Sequence, residues 1–387
     1  MGAPRAVIDH ALRSAAHGAG EALRTAQGAW RRHVFSQRYR SEITTLHKSC
    51  CSGYVPPLNS AQMARRFLAD SFDGYSDLRW HEVYWCVTGM VDSAYIPDDL
   101  FYLKIEPALN AMPYVDVLTD KNGCYNLPVA PHLPEPVLHL VRGDLYRPGF
   151  VPVAEDGIDG ILGDSSEKFI VKPSTEHGGG RSLQLMDGPT AASFLKDVLR
   201  DGPRDDANWL VQRRLEQCAE LAHFNPPSVN CYRIMTMRVD GEAACIMSYL
   251  RVGGSGMPVD NFQSGGLACS IEHGKLRGWG VDRDCRFHRT HPANGIPIGG
   301  ELPAYGDAIA LCQTLHRSLP WFDLVAWDIA IDRQHRPRII EFNVQSLGIR
   351  AFQMAGGPLF GPEGSAALAA MFGRLTSEAA RPPPAAC

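Results

Sequence analysis

The chain has 387 residues, of which 45% are hydrophobic and 21% are charged, and its formal net charge is −4. This is an ordinary globular composition with enough apolar residues for a large core, and the length predicts two or three subdomains. The slightly acidic balance excludes nucleic acid as a bulk electrostatic partner. No apolar run approaches the ~20 residues that span a bilayer, and the N-terminus lacks the apolar core of a signal peptide.

The first predicted segment, residues 1–50, is an Ala-rich helix that carries several arginines. Its apolar residues fall near helical spacing, which predicts packing on its own domain or on a partner. A more specific alternative is that this basic helix contacts a membrane surface. A transit peptide is a further alternative. The sequence leaves the oligomeric state open, a homodimer included.

The rest of the chain divides into four predicted segments. Residues 51–118 are helical and mixed, 119–212 and 213–372 are α+β subdomains, and 373–387 form a Pro-rich disordered tail. Predicted strands are Lys168–Lys172, Ser182–Met186, Trp209–Gln212, Arg233–Arg238 and Cys245–Leu250, and predicted helices are Thr190–Leu199 and Leu302–Ser318. Strands and helices mix without strict βαβ alternation, so the predicted fold class is α+β.

Cysteine usage indicates the redox compartment. There are 11 cysteines, an odd number, without a C-x-x-C motif. Cys50 and Cys51 are adjacent and the others are scattered, which argues against a zinc site or a disulfide framework. We therefore expect reduced thiols and a cytoplasmic location.

The most informative stretch is a predicted hairpin near the C-terminus. Residues 327–332 and 338–343 alternate with the period of a strand, on either side of a polar turn that contains Pro337. Folding about this turn brings Asp328 roughly opposite Glu341, and Asn343 shares the face of Glu341. The alternative is a surface hairpin with solvated acids, but the other side chains of both strands are apolar, which favours a cleft.

The facing acids predict a cation. Like charges directly opposite in a sheet are destabilising, and we expect that removing Asp328 or Glu341 relieves ~0.2–1 kcal/mol of repulsion. Three oxygen-bearing side chains on one face suit Mg²⁺, which prefers carboxylates together with substrate phosphates.

A glycine-rich loop is the second feature. Lys172 precedes His177, Gly178, Gly179 and Gly180, and the G-K-[ST] of a P-loop is missing. Glycines let backbone N–H groups approach phosphate closely. The loop leads into a predicted strand, so it is predicted to be a flap that closes over a triphosphate, with the Lys172 ammonium against the phosphates. A hairpin tip without a special role is the alternative.

Two further pieces complete the pattern. The segment from Trp209 to Glu216 runs from a strand into polar residues and can present its backbone to an adenine edge. Arg233 opens an apolar strand, where a cation is costly without an anionic partner. A structural salt bridge is the alternative explanation for Arg233.

In this order, these pieces resemble an ATP-grasp enzyme, and within that superfamily the sugar-transfer-associated group, whose genes tend to lie with surface-polysaccharide biosynthesis. The resemblance runs from about Tyr95 to Gly361. It rests on Asp120-Lys121-Asn122, on Lys172-Pro173 with the three glycines, on Asn230 to Arg233, on Asp260-Asn261-Phe262 with Gly265-Gly266, and on Trp327-Asp328 with Glu341-Phe342-Asn343.

The resemblance implies an ATP-grasp fold, in which two α+β subdomains grip ATP, preceded by a mainly helical region on the substrate side. It implies ATP and two Mg²⁺ ions as cofactors. The implied roles are phosphate binding by Lys121 and Lys172, closure over the triphosphate by His177 and Gly178–Gly180, adenine binding by Gln212, Arg213 and Leu215, and ribose binding by Glu216 or Glu220. Arg233 would meet the γ-phosphate, and Asp328, Glu341 and Asn343 would ligate the ions. Implied substrate-binding residues are Asn230, Asp260, Asn261, Gly265, Gly266 and Arg350.

The implied reaction is ligation of a small-molecule carboxylate to an amine or a thiol through an acyl phosphate. Phosphoryl transfer needs positioning and charge neutralisation more than covalent help from the protein. A kinase that phosphorylates a hydroxyl would use the same nucleotide site, and a non-catalytic nucleotide sensor is a third hypothesis.

Overall fold

The computed structural model describes residues 35–72, 75–175, 183–201, 208–239, 241–254, 262 and 265–361. The predicted features at residues 1–34, at His177 to Gly180, at Asp260 and Asn261, and in the tail 373–387 lie outside these ranges. Within them, none of the helices combines the length and the apolarity needed to cross a membrane.

The N-terminal region is helical. Helix α1 covers residues 35–50, followed by α2 (Ser60–Ser71), α3 (Arg79–Thr88), α4 (Asp98–Leu100), a π-helical turn (Phe101–Ile105), α5 (Glu106–Leu109) and α6 (Val115–Leu118). Helix α3 ends at Gly89, whose φ of 70° is favourable for glycine and whose N–H caps the Trp85 carbonyl. Short 3₁₀ turns at Met112–Tyr114, Gly123–Asn126 and Ala130–His132 lead to the first sheet.

The first sheet has six antiparallel strands in the order β3-β2-β1-β6-β4-β5. They are β1 (Pro136–Val141), β2 (Asp144–Arg147), β3 (Val151–Val153), β4 (Lys168–Pro173), β5 (Gln184–Asp187) and β6 (Trp209–Arg213). A π-helical turn (Asp159–Gly163) and helix α7 (Gly188–Asp201) cover one face and share its core. The predicted strands at 168–172 and 209–212 are confirmed.

The second sheet has eight strands in the order β11-β10-β9-β8-β7-β13-β14, with β12 beside β10. They are β7 (Cys231–Val239), β8 (Glu242–Val252), β9 (Leu267–Glu272), β10 (Lys275–Val281), β11 (Phe287–His288), β12 (Gly300–Glu301), β13 (Leu324–Ile331) and β14 (Pro337–Asn343). The remaining helices are α8 (Ala219–Ala222), α9 (Tyr305–His316) and α10 (Ile349–Gly356).

Helices cover both faces of the second sheet. Side chains of one face, such as Met235 and Ala326, pack with α10 and the N-terminal helices. Side chains of the other face, such as Ile234 and Trp327, pack with α9. Strand β13 is consequently buried at every position, so the single acid within it, Asp328, needs buried partners.

Candidate active site

The predicted hairpin is confirmed, with its register. Strands β13 and β14 are antiparallel, and Asp328 is the Cα partner of Glu341. On its other side β13 pairs with β7, where the partner of Asp328 is Arg233. Asp328 therefore lies between a carboxylate and a guanidinium on neighbouring strands.

Asp328 is buried between two arginines. Its Oδ1 lies 2.7 Å from Nη1 of Arg233 and its Oδ2 lies 2.9 Å from Nη1 of Arg251. Burial opposes ionisation, but the two guanidinium groups outweigh it and hold the pKa of Asp328 below its usual range. The expected relief of repulsion on removal of Asp328 is therefore wrong, because the counter-ions of this acid are arginines of the same sheet. The anionic partner that Arg233 requires is Asp328.

Glu341 and Asn343 join the same network. With the Asn343 amide oriented to satisfy both neighbours, its nitrogen donates to Oε1 of Glu341 at 3.0 Å and its oxygen accepts from Nη1 of Arg233 at 2.8 Å. The three predicted metal ligands and Arg233 thus lie in one hydrogen-bonded cluster.

The first sheet contributes Lys172, near the end of β4. Burial lowers the pKa of Lys172 to about 8, the carboxylate of Glu341 opposes this shift, and the charge of Lys121 reinforces it. Lys121 lies close to the end of β4, since its backbone N–H and its Nζ both donate to the carbonyl of Ser174, two residues after Lys172. The charge of Glu341, on β14, also acts on Lys172.

The Lys121 loop is fixed to the end of β4 by Ser174. The Ser174 carbonyl accepts from the backbone N–H of Lys121 at 3.0 Å and from its Nζ at 3.4 Å. The Ser174 hydroxyl donates to Asp120 at 2.8 Å and accepts from the Asn122 N–H at 3.0 Å. Asn122 is buried and contacts Nδ1 of His139 at 2.8 Å. This network fixes the position of the Lys121 backbone relative to the end of β4.

The predicted adenine and ribose residues have partners of their own. The Gln212 amide donates to the Tyr125 hydroxyl, and Arg213 pairs with Glu135 at 3.2 Å and with Glu167. Leu215 is half-buried. Both candidate ribose acids contact the β13–β14 turn, since Glu216 lies 2.7 Å from Arg333 and Glu220 lies 3.0 Å from His335.

The described substrate-binding candidates are spread over three places. Asn230 is fully buried and joins the backbone of Leu221, Asn225 and Gly253. Gly265 has a φ of +93° and is followed by Gly266 on the way to β9.

Arg350, on α10, is a connection to the N-terminal helices. Its guanidinium contacts Asp98 at 2.8 Å and Glu42 at 2.8 Å, and lies 4.9 Å above the ring of Trp80. Both of its ion pairs bind the N-terminal region to α10.

Sequence reasoning missed the residues that position the loop after β14. Tyr102 accepts hydrogen bonds from the N–H groups of Gly348 and Ile349 at 3.0 and 3.1 Å, and Glu106 accepts from Leu347 at 3.1 Å. Arg233 donates to the Leu347 carbonyl at 3.0 Å. It also missed Arg251, although a cation in the apolar strand β8 is the same signal that identified Arg233.

The model of the family described as sugar-transfer associated ATP-grasp matches residues 102–364, which is more than half of the chain. The comparison with curated proteins found no match.

Several solved structures show a distant likeness. D-cycloserine synthetase is 14% identical, covers 68% of this chain and 73% of its own, and has a TM-score of 0.38. The L-amino acid ligase of Bacillus licheniformis is 12% identical, with coverage of 63% and 43% and a TM-score of 0.29. The N5-carboxyaminoimidazole synthase of Aspergillus clavatus is 8% identical, with coverage of 63% and 50% and a TM-score of 0.34. The chain spans about half of the length of the latter two proteins or less.

Proposed function

The chain belongs to the sugar-transfer associated ATP-grasp family, and from this premise we propose that it is an ATP- and Mg²⁺-dependent ligase. It would join a carboxylate to an amine or a thiol, with release of ADP and phosphate. The observation that carries the proposal is the hydrogen-bonded cluster of Asp328, Glu341, Asn343 and Arg233 on neighbouring strands. The charge of Glu341 also acts on Lys172 of the first sheet, which supports a site that both sheets share.

The charge balance supports an anionic ligand. Four cations and three carboxylates lie in this region, which leaves an excess of one positive charge: Lys121, Lys172, Arg233, Arg251, Asp120, Asp328 and Glu341. Excess positive charge is costly in a buried place unless an anion accompanies it. A triphosphate would supply that anion, with Lys121 and Lys172 at its α- and β-phosphates.

The donor set fits Mg²⁺. Asp328, Glu341 and Asn343 offer hard oxygen ligands on adjacent strands, and each Asp328 oxygen that contacts an arginine retains a second lone pair. These three residues would hold the metal, which when bound supplies neutralisation of phosphate charge. The ordered strands supply the positioning, since the pairing of β7, β13 and β14 fixes all three side chains.

Arg233 and Arg251 would bind the phosphoryl group during its transfer. Arg233 and Arg251 have fixed orientations because Asp328 binds both, so their positive charges need no reorganisation during reaction. A substrate carboxylate oxygen would attack the γ-phosphorus and the bond from that phosphorus to the ADP oxygen would break, giving an acyl phosphate. The amine or thiol would then attack the acyl carbon, lose its proton and displace phosphate.

The test is a screen of carboxylates for ADP release in Mg²⁺, followed by trapping with hydroxylamine. An acyl phosphate predicts a hydroxamate formed in step with ADP. A stable phosphorylated hydroxyl compound would overturn the ligase assignment in favour of the kinase. Lys168→Met is the matched control for Lys172→Met, because Lys168 is on the same strand in an exposed pair with Asp187 at 3.3 Å. Equal losses in both variants would remove Lys172 from the site.

A further inference from the structure

Three side chains with different metal-binding chemistry meet where the connection after β6 crosses the β13–β14 turn. The Cys218 sulfur, a carboxylate oxygen of Glu220 and a ring nitrogen of His335 all lie within 4.8 Å of one another. Nε2 of His335 is 3.0 Å from Oε1 of Glu220. This cluster uses none of the residues proposed to hold Mg²⁺.

Backbone hydrogen bonds hold the two contributing segments together. The Cys218 N–H donates to the Ile331 carbonyl at 2.8 Å, and the Arg333 N–H donates to the Glu216 carbonyl at 3.2 Å. His335 has a φ of +57°, and its N–H donates to Asp332 at 2.9 Å. The ligand-bearing backbone is therefore ordered by contacts that do not involve the ligand atoms.

The chemistry of the cluster indicates the ion. A thiolate, an imidazole and a carboxylate are a ligand set for Zn²⁺, whereas Mg²⁺ prefers oxygen ligands alone. Ligand atoms about 2.0–2.3 Å from a tetrahedral zinc lie about 3–4 Å apart. The Glu220–His335 distance already meets this spacing. Both of these side chains are 52% exposed, so each can rotate toward the buried sulfur of Cys218.

We propose that Cys218, Glu220 and His335 form a Zn²⁺ site with a fourth position open to water. The cysteine spacing alone argues against a zinc site, because only one of these three ligands is a cysteine. Cys218 binds as the thiolate, and its proton leaves to solvent. The ion links the connection between the two sheets to the turn of the hairpin that carries Asp328 and Glu341. This assignment uses Glu220 for zinc and leaves Glu216 as the candidate acid for ribose.

The site would be tested with Co²⁺, because a thiolate-to-cobalt charge-transfer absorption reports sulfur ligation independently of activity. Metal-free protein in excess Mg²⁺ is titrated with Co²⁺. We expect the absorption to saturate at one equivalent and to disappear when Zn²⁺ is added. Cys218→Ser should abolish it, and His335→Gln should weaken Zn²⁺ binding by about 10- to 100-fold.

Matched controls keep the three ligands intact. Cys245→Ser removes a half-buried thiol elsewhere on the second sheet, and His223→Gln removes an exposed imidazole just after α8. Both should retain the absorption at one equivalent. Because His335 is exposed, its variant should fold. A smaller Zn²⁺-induced rise in melting temperature in His335→Gln than in the two controls supports the site. No charge-transfer absorption in the wild type, or equal absorption in Cys218→Ser, would overturn it.

Discussion

Asp328 and Arg233 are direct partners on neighbouring strands, joined by a 2.7 Å ion pair with both side chains less than 10% exposed. A second guanidinium, that of Arg251, takes the other carboxylate oxygen. The sequence predicts repulsion between Asp328 and Glu341. In the structure, Asp328 instead forms ion pairs with two arginines of the same sheet. This relationship sets the sign of the first prediction.

Asp328→Asn should destabilise the metal-free protein by about 3–5 kcal/mol, because it removes the anionic partner of the buried Arg233 and a carboxylate contact of the half-buried Arg251. Urea unfolding in chelator measures the change. Asp323→Asn is the control, since Asp323 pairs with Arg238 in a more exposed position and should cost about 0–1 kcal/mol. If Asp328→Asn is as stable as the wild type or more stable, repulsion between Asp328 and Glu341 outweighs the two ion pairs, and this prediction fails.

Glu341→Gln should behave differently from Asp328→Asn. The side-chain carbonyl of the introduced glutamine can still accept from the Asn343 amide, so we expect metal-free stability within about 1 kcal/mol of the wild type. Turnover should fall by at least ~100-fold, because an anionic oxygen beside the proposed phosphate site is lost. Parallel melts and ADP-release rates test this, and full turnover in Glu341→Gln would remove Glu341 from the site.

Lys172→Met should stabilise the nucleotide-free protein at neutral pH by about 1–3 kcal/mol, because it removes a half-buried ammonium whose charged form is disfavoured. Burial lowers the pKa of Lys172 to about 8. Between about pH 8 and pH 10.5 the native state therefore binds fewer protons than the unfolded chain. Wild-type stability then rises with pH relative to the variant, and the difference between them shrinks. Mg-ATP affinity should fall about 10- to 100-fold in the variant, and unfolding and titration series against pH measure both effects.

Glu106→Gln should show the opposite pH dependence. Burial raises the pKa of Glu106 to about 7, although backbone hydrogen bonds from Leu347 and Ser346 oppose the shift. Between about 4.5 and 7 the native state binds more protons than the unfolded chain, so wild-type stability falls as pH rises. The variant should match the wild type at low pH and exceed it by up to about 3 kcal/mol above pH 7. A pH-independent difference would contradict this, and Glu135→Gln, at an exposed acid, is the control.

Arg350→Met separates two roles of Arg350. If its ion pairs with Asp98 and Glu42 are structural, the variant loses about 3–5 kcal/mol of stability, while the KM for the carboxylate is unchanged under conditions where it is folded. A selective rise in KM with unchanged stability would instead support the substrate-binding role. Glu42→Gln removes one of the two ion pairs, so it should lose part of the stability while the KM for the carboxylate stays unchanged.

The parts predictable from sequence are those governed by short-range periodicity. Alternation of side chains predicts the two strands and the short turn between them sets the register that pairs Ile329 with Ile339. A β-bulge between Asp328 and Ile329 then shifts the register by one residue and brings Asp328 opposite Glu341. The pairing of Asp328 with Arg233 joins residues 95 positions apart. No local pattern encodes such a pairing, because it depends on which strand lies next to β13 in the completed sheet. The same holds for Arg251 and for the contacts of Tyr102 and Glu106 with the loop after β14.

The contacts of Asn110 can form only late in synthesis of the chain. Its amide donates to the carbonyls of Leu324 and Val344, which are 214 and 234 residues away. The strands of the first sheet all lie between residues 136 and 213, so a ribosome that has released this segment has released every strand of that sheet. The N-terminal helices emerge earlier, yet their partners on β13 and in the loop after β14 emerge last. Nascent chains therefore expose the apolar surfaces of α3 and α5 for most of translation, which makes this stage the one at which chaperones have the most to bind.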